Sequence, residues 1–283
     1  MKERVTITLE RDVLEVVDGM VDKEHIKNRS HAIELLVKKS VGAMCPRKAI
    51  ILAGGKGTRL RPITHEIPKP LIPVQGQSLI EHLLDLFKRH GVQEVMLAIG
   101  YKKEKIMEYF GNGERFGLKI SYIEEDEPLG TAGPLLKARD FITEPVIVTN
   151  GDELKDVNLD AMYDLHKKNS ALATIALTTV ADPSAYGVAD LSGNRIVKFV
   201  EKPPKEEAPS NLINAGLYII QPEVLSMIPE GGFAMLEKDV FPKIAELGKL
   251  YGYPFSGQWF DTGNIERYER AIANWKGLPE KAK

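Results

Sequence analysis

The stretch LAGGKGTRLR (52–61) closes the apolar run AIIL (49–52) with three glycines, one lysine and two arginines. Glycines let backbone N–H groups approach phosphate oxygens closely, and the cations complement a polyanion. The spacing is not that of a G-x-x-x-x-G-K-[ST] phosphate loop. It is not a dinucleotide fingerprint either: Gly55 and Gly57 give G-x-G, but Leu60 stands where the third glycine belongs. Taken alone, the turn is either a phosphate cradle of another kind or a tight strand-to-helix connection with solvated charges. The six histidines show no metal-ligand spacing, and no nucleophile–base pair that would require a covalent intermediate is evident.

Such a turn needs a buried strand behind it. From residue 48 onward the apolar runs AIIL (49–52), EVMLAIG (94–100), KISYIEE (119–125), PVIVTNGD (145–152) and ALATIALTTV (171–180) alternate with helical stretches at 78–91 and 102–113. Strands alternating with helices predict an α/β fold with a mostly parallel sheet, whose ligands sit at the carboxyl ends of the strands. Net charge is −2, so no global basic field advertises nucleic acid. The single cysteine, Cys45, excludes an internal disulfide and fits a reducing compartment. No apolar run reaches membrane-spanning length, and charges occupy the place of a signal peptide's apolar region. A cytoplasmic protein without membrane contact is expected.

A break near VGAMCPRK (41–48) predicts two domains, 1–43 and 44–283. In the first, RVTITLE alternates as a strand, Val13, Leu14, Val17, Met20 and Val21 follow helical spacing, and Ser30 is placed as the N-cap of a second helix. One strand and two helices in about 40 residues bury too little surface alone, so a partner is required. Strand, helix, NRS, helix resembles the ribbon-helix-helix family over residues 3–42. The resemblance implies a homodimer through paired strands, with Arg4, Thr6 and Thr8 facing DNA and Arg29 and Ser30 holding a phosphate. Residues 1–42 carry eight basic and eight acidic side chains, without the positive excess usual for DNA binding.

Beyond the glycine turn, the chain reads PKP (68–70), EEDEPLGTAGPL (124–135), NGD (150–152), YGV (186–188), VEKP (200–203), NAGLY (214–218) and WFDTG (259–263). This ordered set resembles the sugar nucleotidylyltransferases, also called nucleotide-sugar pyrophosphorylases, over residues 47 to 275. The resemblance implies a Rossmann-like nucleotidyltransferase domain. It also implies a reaction in which a sugar 1-phosphate oxygen attacks the α-phosphorus of a nucleoside triphosphate and releases pyrophosphate. Leu52, Ala53, Gly54, Gly55, Gly57, Thr58, Glu125, Gly130 and Thr131 would hold the nucleotide. Arg59 would clamp the triphosphate, Lys69 would stand near the transferred phosphate, and Lys202 would hold the sugar's phosphate. Gly187, Glu201 and Asn214 would contact the sugar, and Asp152 and Asp261 would hold Mg²⁺. The attacking phosphate is already an anion, so direct in-line displacement needs no general base.

The segment EEDEPLGTAGPL most resembles GDP-mannose pyrophosphorylases. A carboxylate at Glu125 can accept both N1–H and N2–H₂ of guanine, whereas uracil and thymine suit an amide better. GTP with mannose 1-phosphate is therefore expected, with UTP or dTTP and glucose 1-phosphate as the second choice. The chain ends at Lys283, so the C-terminal β-helix of many relatives, and its acyltransferase activity, are not expected. A competing class is a DNA-binding regulator whose large domain senses a nucleotide-sugar. Retention of Arg59, Lys69, Asp152, Lys202 and Asp261 favours turnover.

Overall fold

The computed structural model describes residues 6–22, 26–41 and 45–279. The chain divides into two compact units, Met1–Met44 and Cys45–Lys283.

The first unit holds two helices, α1 (Arg11–Gly19) and α2 (Arg29–Val41), which pack on each other. Val17 and Ala32 are buried, whereas Ile7, Val13, Val16, Leu35 and Val37 are exposed. Three expectations change here. Residues 6–10, with Thr6 and Thr8, are in no strand, and Arg4 lies outside the described residues. A ribbon of this kind needs a second chain to pair with, so the likeness to ribbon-helix-helix proteins rests on two helices alone. The cap of α2 is Asn28, whose side chain accepts the His31 N–H at 2.9 Å, and Ser30 falls within the first turn. Arg29 does not stand free for a phosphate, because its guanidinium donates to both carboxylate oxygens of Asp18, at 2.5 and 2.7 Å.

The second unit runs β1 (Lys48–Ala53), α3 (Ile63–Glu66), β2 (Pro73–Val74), β3 (Gln77–Ser78), α4 (Leu79–Arg89), β4 (Glu94–Ile99), α5 (Lys103–Phe110), β5 (Lys119–Glu124), α6 (Gly133–Lys137), β6 (Val146–Asn150), β7 (Glu153–Lys155) and α7 (Leu159–Lys168). It continues through β8 (Ala173–Thr179), β9 (Gly187–Ser192), β10 (Arg195–Glu201), β11 (Leu212–Ile220), α8 (Phe241–Glu246), β12 (Leu250–Pro254), β13 (Trp259–Asp261) and α9 (Ile265–Asn274). Nine strands form one sheet in the order β5-β4-β1-β6-β11-β8-β12-β10-β9. The apolar runs become its central strands because they are buried on both faces: Ala49, Ile51 and Ile147 pack on one side, Ile50 and Val148 on the other. The crossover helix α4 starts with a reciprocal cap, Ser78 to the Glu81 N–H and Glu81 back to the Ser78 N–H.

The sheet is less uniformly parallel than the alternation predicts. β5, β4, β1 and β6 are parallel, but β11 runs antiparallel to both β6 and β8. The parallel quartet brings four carboxyl ends to one edge, and β7 pairs with β13 just beyond it.

Candidate active site

A cleft of about 580 Å³ opens at that edge. β1 ends at Ala53, and the chain then turns through Gly54–Gly57 into a 3-10 turn, Thr58–Leu60, anchored by the buried Leu60. β4 delivers Gly100, β5 delivers Glu125, and β6 delivers Asn150, Gly151 and Asp152. The cleft is lined by Leu52, Ala53, Gly54, Gly55, Gly57, Thr58, Arg59, Lys69, Glu125, Gly130, Thr131 and Asp152 together, which is every residue expected at the nucleotide end plus one of the two aspartates.

Lys69 is buried in a 3-10 turn, and its Nζ lies 2.5 Å from Asp152 Oδ2. The Asp152 side chain keeps 38% of its surface exposed. Burial pushes its carboxyl up, but the charges of Lys69, Lys155 and Arg59 outweigh that, and the group sits below its ordinary value of 3.8. It is an anion in the cleft.

Behind Asp152 lies a charged group that sequence reasoning missed. Lys155 is fully buried at its side chain, and its Nζ donates among Thr149 Oγ1, Glu153 Oε2 and the carbonyls of Ala215 and Gly216, each at 2.9 Å. Glu153 also accepts from Asn150 Nδ2 and Trp259 Nε1. Burial raises the Glu153 carboxyl, opposed by Lys155. The signal was present in the sequence: NGDELKD places a glutamate and a lysine immediately after a buried strand.

Asp261 stands opposite Glu153 in the β13–β7 ladder. Thr262 donates from both its N–H and its hydroxyl to the Asp152 carbonyl, at 3.2 and 2.7 Å, which ties the two aspartate segments together. Asp261 does not cap α9; Asn264 does, accepting the Arg267 N–H at 2.9 Å. The Asp261 carboxylate instead accepts from Tyr186 OH at 3.2 Å and from the Arg267 guanidinium. It lies beside Gly263, which lines the cleft. Among the described residues, no group of three or more His, Cys, Asp or Glu is arranged to cage a metal ion. Asp152 and Asp261 offer hard carboxylate oxygens, the ligand type that Mg²⁺ prefers, and that ion completes its shell with waters and substrate phosphates.

Glu125 lies against Gly54, so closely that a Cβ there would stand 2.6 Å from Oε1. Its Oε2 accepts the Leu129 N–H at 3.1 Å, and burial raises its carboxyl above the ordinary 4.5.

The expected sugar residues do not line this cleft; they form a neighbouring cluster. Glu201 pairs with Gly187 across the β9–β10 ladder. Lys202 follows in left-handed backbone (φ +50), a conformation a lysine holds only where its surroundings enforce it. Its N–H donates to Tyr186 O at 2.9 Å, and its Nζ lies 3.4 Å from Glu201 Oε1. Tyr186 thus joins the two clusters, its backbone bonded to Lys202 and its hydroxyl to Asp261. Asn214 sits on β11 at a register shift of the sheet.

Residues 48–276, the greater part of the chain, match the family described as Nucleotidyl transferase. The chain belongs to that family. Two relatives within it are the UTP--glucose-1-phosphate uridylyltransferase of Synechocystis sp., 41% identical over 80% of this chain and 62% of that protein, and the mannose-1-phosphate guanylyltransferase of Mycobacterium tuberculosis, 38% identical over 80% of this chain and 64% of that one. The nucleotidyl transferase chain here therefore spans a little over three fifths of the length of these curated relatives. A solved UDP-glucose pyrophosphorylase complexed with UDP-glucose superposes with a TM-score of 0.72 at 25% identity, covering 81% of this chain and 98% of that one. Among the described residues, no helix is long and apolar enough to cross a membrane.

Proposed function

We propose that the second unit transfers a nucleotidyl group from a nucleoside triphosphate to a sugar 1-phosphate. A phosphate oxygen of the sugar 1-phosphate forms a bond to the α-phosphorus. The bond from that phosphorus to the β-bridging oxygen breaks, and its electron pair leaves with pyrophosphate. The observation that carries this reading is the single cleft in which the glycine turn, Arg59, Lys69 and Asp152 meet at the carboxyl ends of parallel strands. Backbone N–H groups of the turn hold the triphosphate, and Arg59 matches phosphate geometry with its guanidinium fork. Lys69 stands by the transferred phosphate and offsets charge as the leaving group departs. Lys202 holds the phosphate of the sugar, and Gly187, Glu201 and Asn214 contact its hydroxyls. Asp152 and Asp261 would hold Mg²⁺, which supplies charge neutralisation at the phosphates when bound.

Glu125 supports guanine as the base, because a carboxylate against the glycine turn accepts from N1–H and N2–H₂ together. Likeness to the Mycobacterium tuberculosis guanylyltransferase agrees with mannose 1-phosphate as the acceptor. The likeness to the Synechocystis uridylyltransferase favours a second reading, UTP with glucose 1-phosphate. The first unit is proposed to pair two chains. With Arg29 held by Asp18, and with its positive and negative side chains balanced, it gives less support to DNA contact.

The test is pyrophosphate release with Mg²⁺ across GTP, UTP, dTTP, CTP and ATP, each with mannose 1-phosphate and glucose 1-phosphate. GTP with mannose 1-phosphate is expected to turn over fastest. Asp152→Asn should lose at least about 100-fold, since even the partners of a metal ligand are worth 10- to 100-fold. Silence of the wild type across the panel would sink the reading.

A further inference from the structure

One buried hydrogen-bond chain spans the two clusters, and the carboxylate at its centre, Glu237, has no part in the reaction as described. Glu237 sits in a single π-turn, Leu236–Val240, immediately before α8. Such turns recur at functional sites. Its buried carboxylate accepts from two hydroxyls: Thr131 donates to Oε2 at 2.5 Å and Tyr218 to Oε1 at 3.1 Å. Thr131 Oγ1 in turn accepts the Leu236 N–H at 2.9 Å. Tyr218 OH accepts from Asn214 Nδ2 at 2.9 Å, and Asn214 Oδ1 accepts the Gly216 N–H at 2.9 Å.

Every bond in this chain has a fixed direction. Both hydroxyls donate to the carboxylate oxygens of Glu237 and so spend their protons there. Tyr218 then keeps a lone pair for Asn214. The Gly216 N–H can only donate, which fixes the amide of Asn214 from its other side. The β11 register shift between Asn214 and Tyr218 brings both side chains to the same place. One amide N–H of Asn214 stays uncommitted in this chain and held in direction. Thr131, at the other end, lines the nucleotide cleft. Glu237 also acts on the sugar side through its charge, since burial and then Glu237 raise the Glu201 carboxyl.

We propose that Glu237 is a positioning residue that ties the nucleotide loop to the sugar-phosphate side, so that each substrate strengthens binding of the other. The inference rests on the nucleotidyl transfer proposed above. The experiment uses the full chain with Mg²⁺, and with the pair that the wild type turns over. It measures KM for each substrate and kcat, together with calorimetric affinity for the sugar 1-phosphate with and without a non-transferable nucleotide analogue. Glu237→Gln keeps the size but turns an NH₂ toward one of the two hydroxyls. It should raise both KM values roughly tenfold, the effect of one or two lost hydrogen bonds, with a smaller change in kcat. The gain in sugar-phosphate affinity that the analogue gives the wild type should disappear. Tyr218→Phe, which removes one hydroxyl, should raise only the sugar-phosphate KM, and it reads that half if Glu237→Gln does not fold. Unshifted KM values in an active Glu237→Gln, or an analogue effect that persists in it, overturn the inference alone. A wild type that turns over no pair overturns the reaction and the inference together.

Discussion

Lys155 shows what a residue's type says and what it leaves out. A lysine next to a fully buried leucine is ordinarily a solvated charge. Here its three N–H donors face four acceptors, so the ammonium is compensated without water. Removing one partner of a buried pair strands the other, at a cost of about 3–5 kcal/mol. Lys155→Met should therefore lower the denaturation midpoint clearly at neutral pH, by leaving Glu153 buried and unpaired. The sign of the pH dependence follows from Glu153, whose carboxyl is already raised by burial and loses its main opposing charge in the variant. A raised carboxyl binds its proton more tightly in the folded state, so stability falls as pH rises above the ordinary value of 4.5. The deficit should shrink as pH is lowered toward that value, and denaturation curves across pH would show it. A deficit independent of pH would mean that packing, not charge, explains the loss. Arg59, Lys69, Glu125 and Asp152 were legible in sequence because each stands inside an ordered motif. NGDELKD carried a signal for Lys155, but its acceptors Ala215 and Gly216, like the Thr131 partner of Glu237, come from far away in the chain.

Among the elements, the strands of the parallel quartet were legible from uninterrupted apolar runs, and α4 from its amphipathic spacing. The antiparallel insertion of β11 was not, since an apolar run carries no direction. Nor was the strap at residues 231–237, GGFAMLE, which carries neither a helical nor a strand period. That strap lies against the nucleotide loop: the Ala132 N–H donates to Ala234 O at 2.9 Å, and the Ala234 N–H to Leu129 O at 3.0 Å. Gly130 makes the approach feasible, with φ +74 and Ala234 O only 2.3 Å from where a Cβ would stand. Gly130→Ala must both strain the backbone and push the strap away, costing about 1–3 kcal/mol. The nucleotide KM should rise more than the sugar-phosphate KM, because the displaced loop carries Thr131. Steady-state kinetics on a variant whose melting point is also recorded would separate the two effects. Equal rises in both KM values would place the strap's influence elsewhere.

For the whole molecule, the two units raise different demands. Cys45–Lys283 has its own core and its own cleft. Met1–Met44 is too short to bury enough apolar surface, and it leaves Val16 64% and Val37 50% exposed. Scattered exposed apolar residues are ordinary on a large surface, but several on two short helices exceed what so small a unit can leave to water. A second copy of the chain is the partner that is always present at matching concentration, and closed two-fold pairing is the commonest outcome. The balanced charge of this segment suits association with itself better than association with a polyanion. Val16→Asp combined with Val37→Asp in the full chain should then shift sedimentation from dimer to monomer. Pyrophosphate release should stay within about twofold, since neither valine belongs to the cleft and surface changes away from a site rarely exceed 0.5 kcal/mol. A wild type that sediments as a monomer removes the pairing. A variant that becomes monomeric and also loses turnover would instead make the dimer part of the catalytic unit.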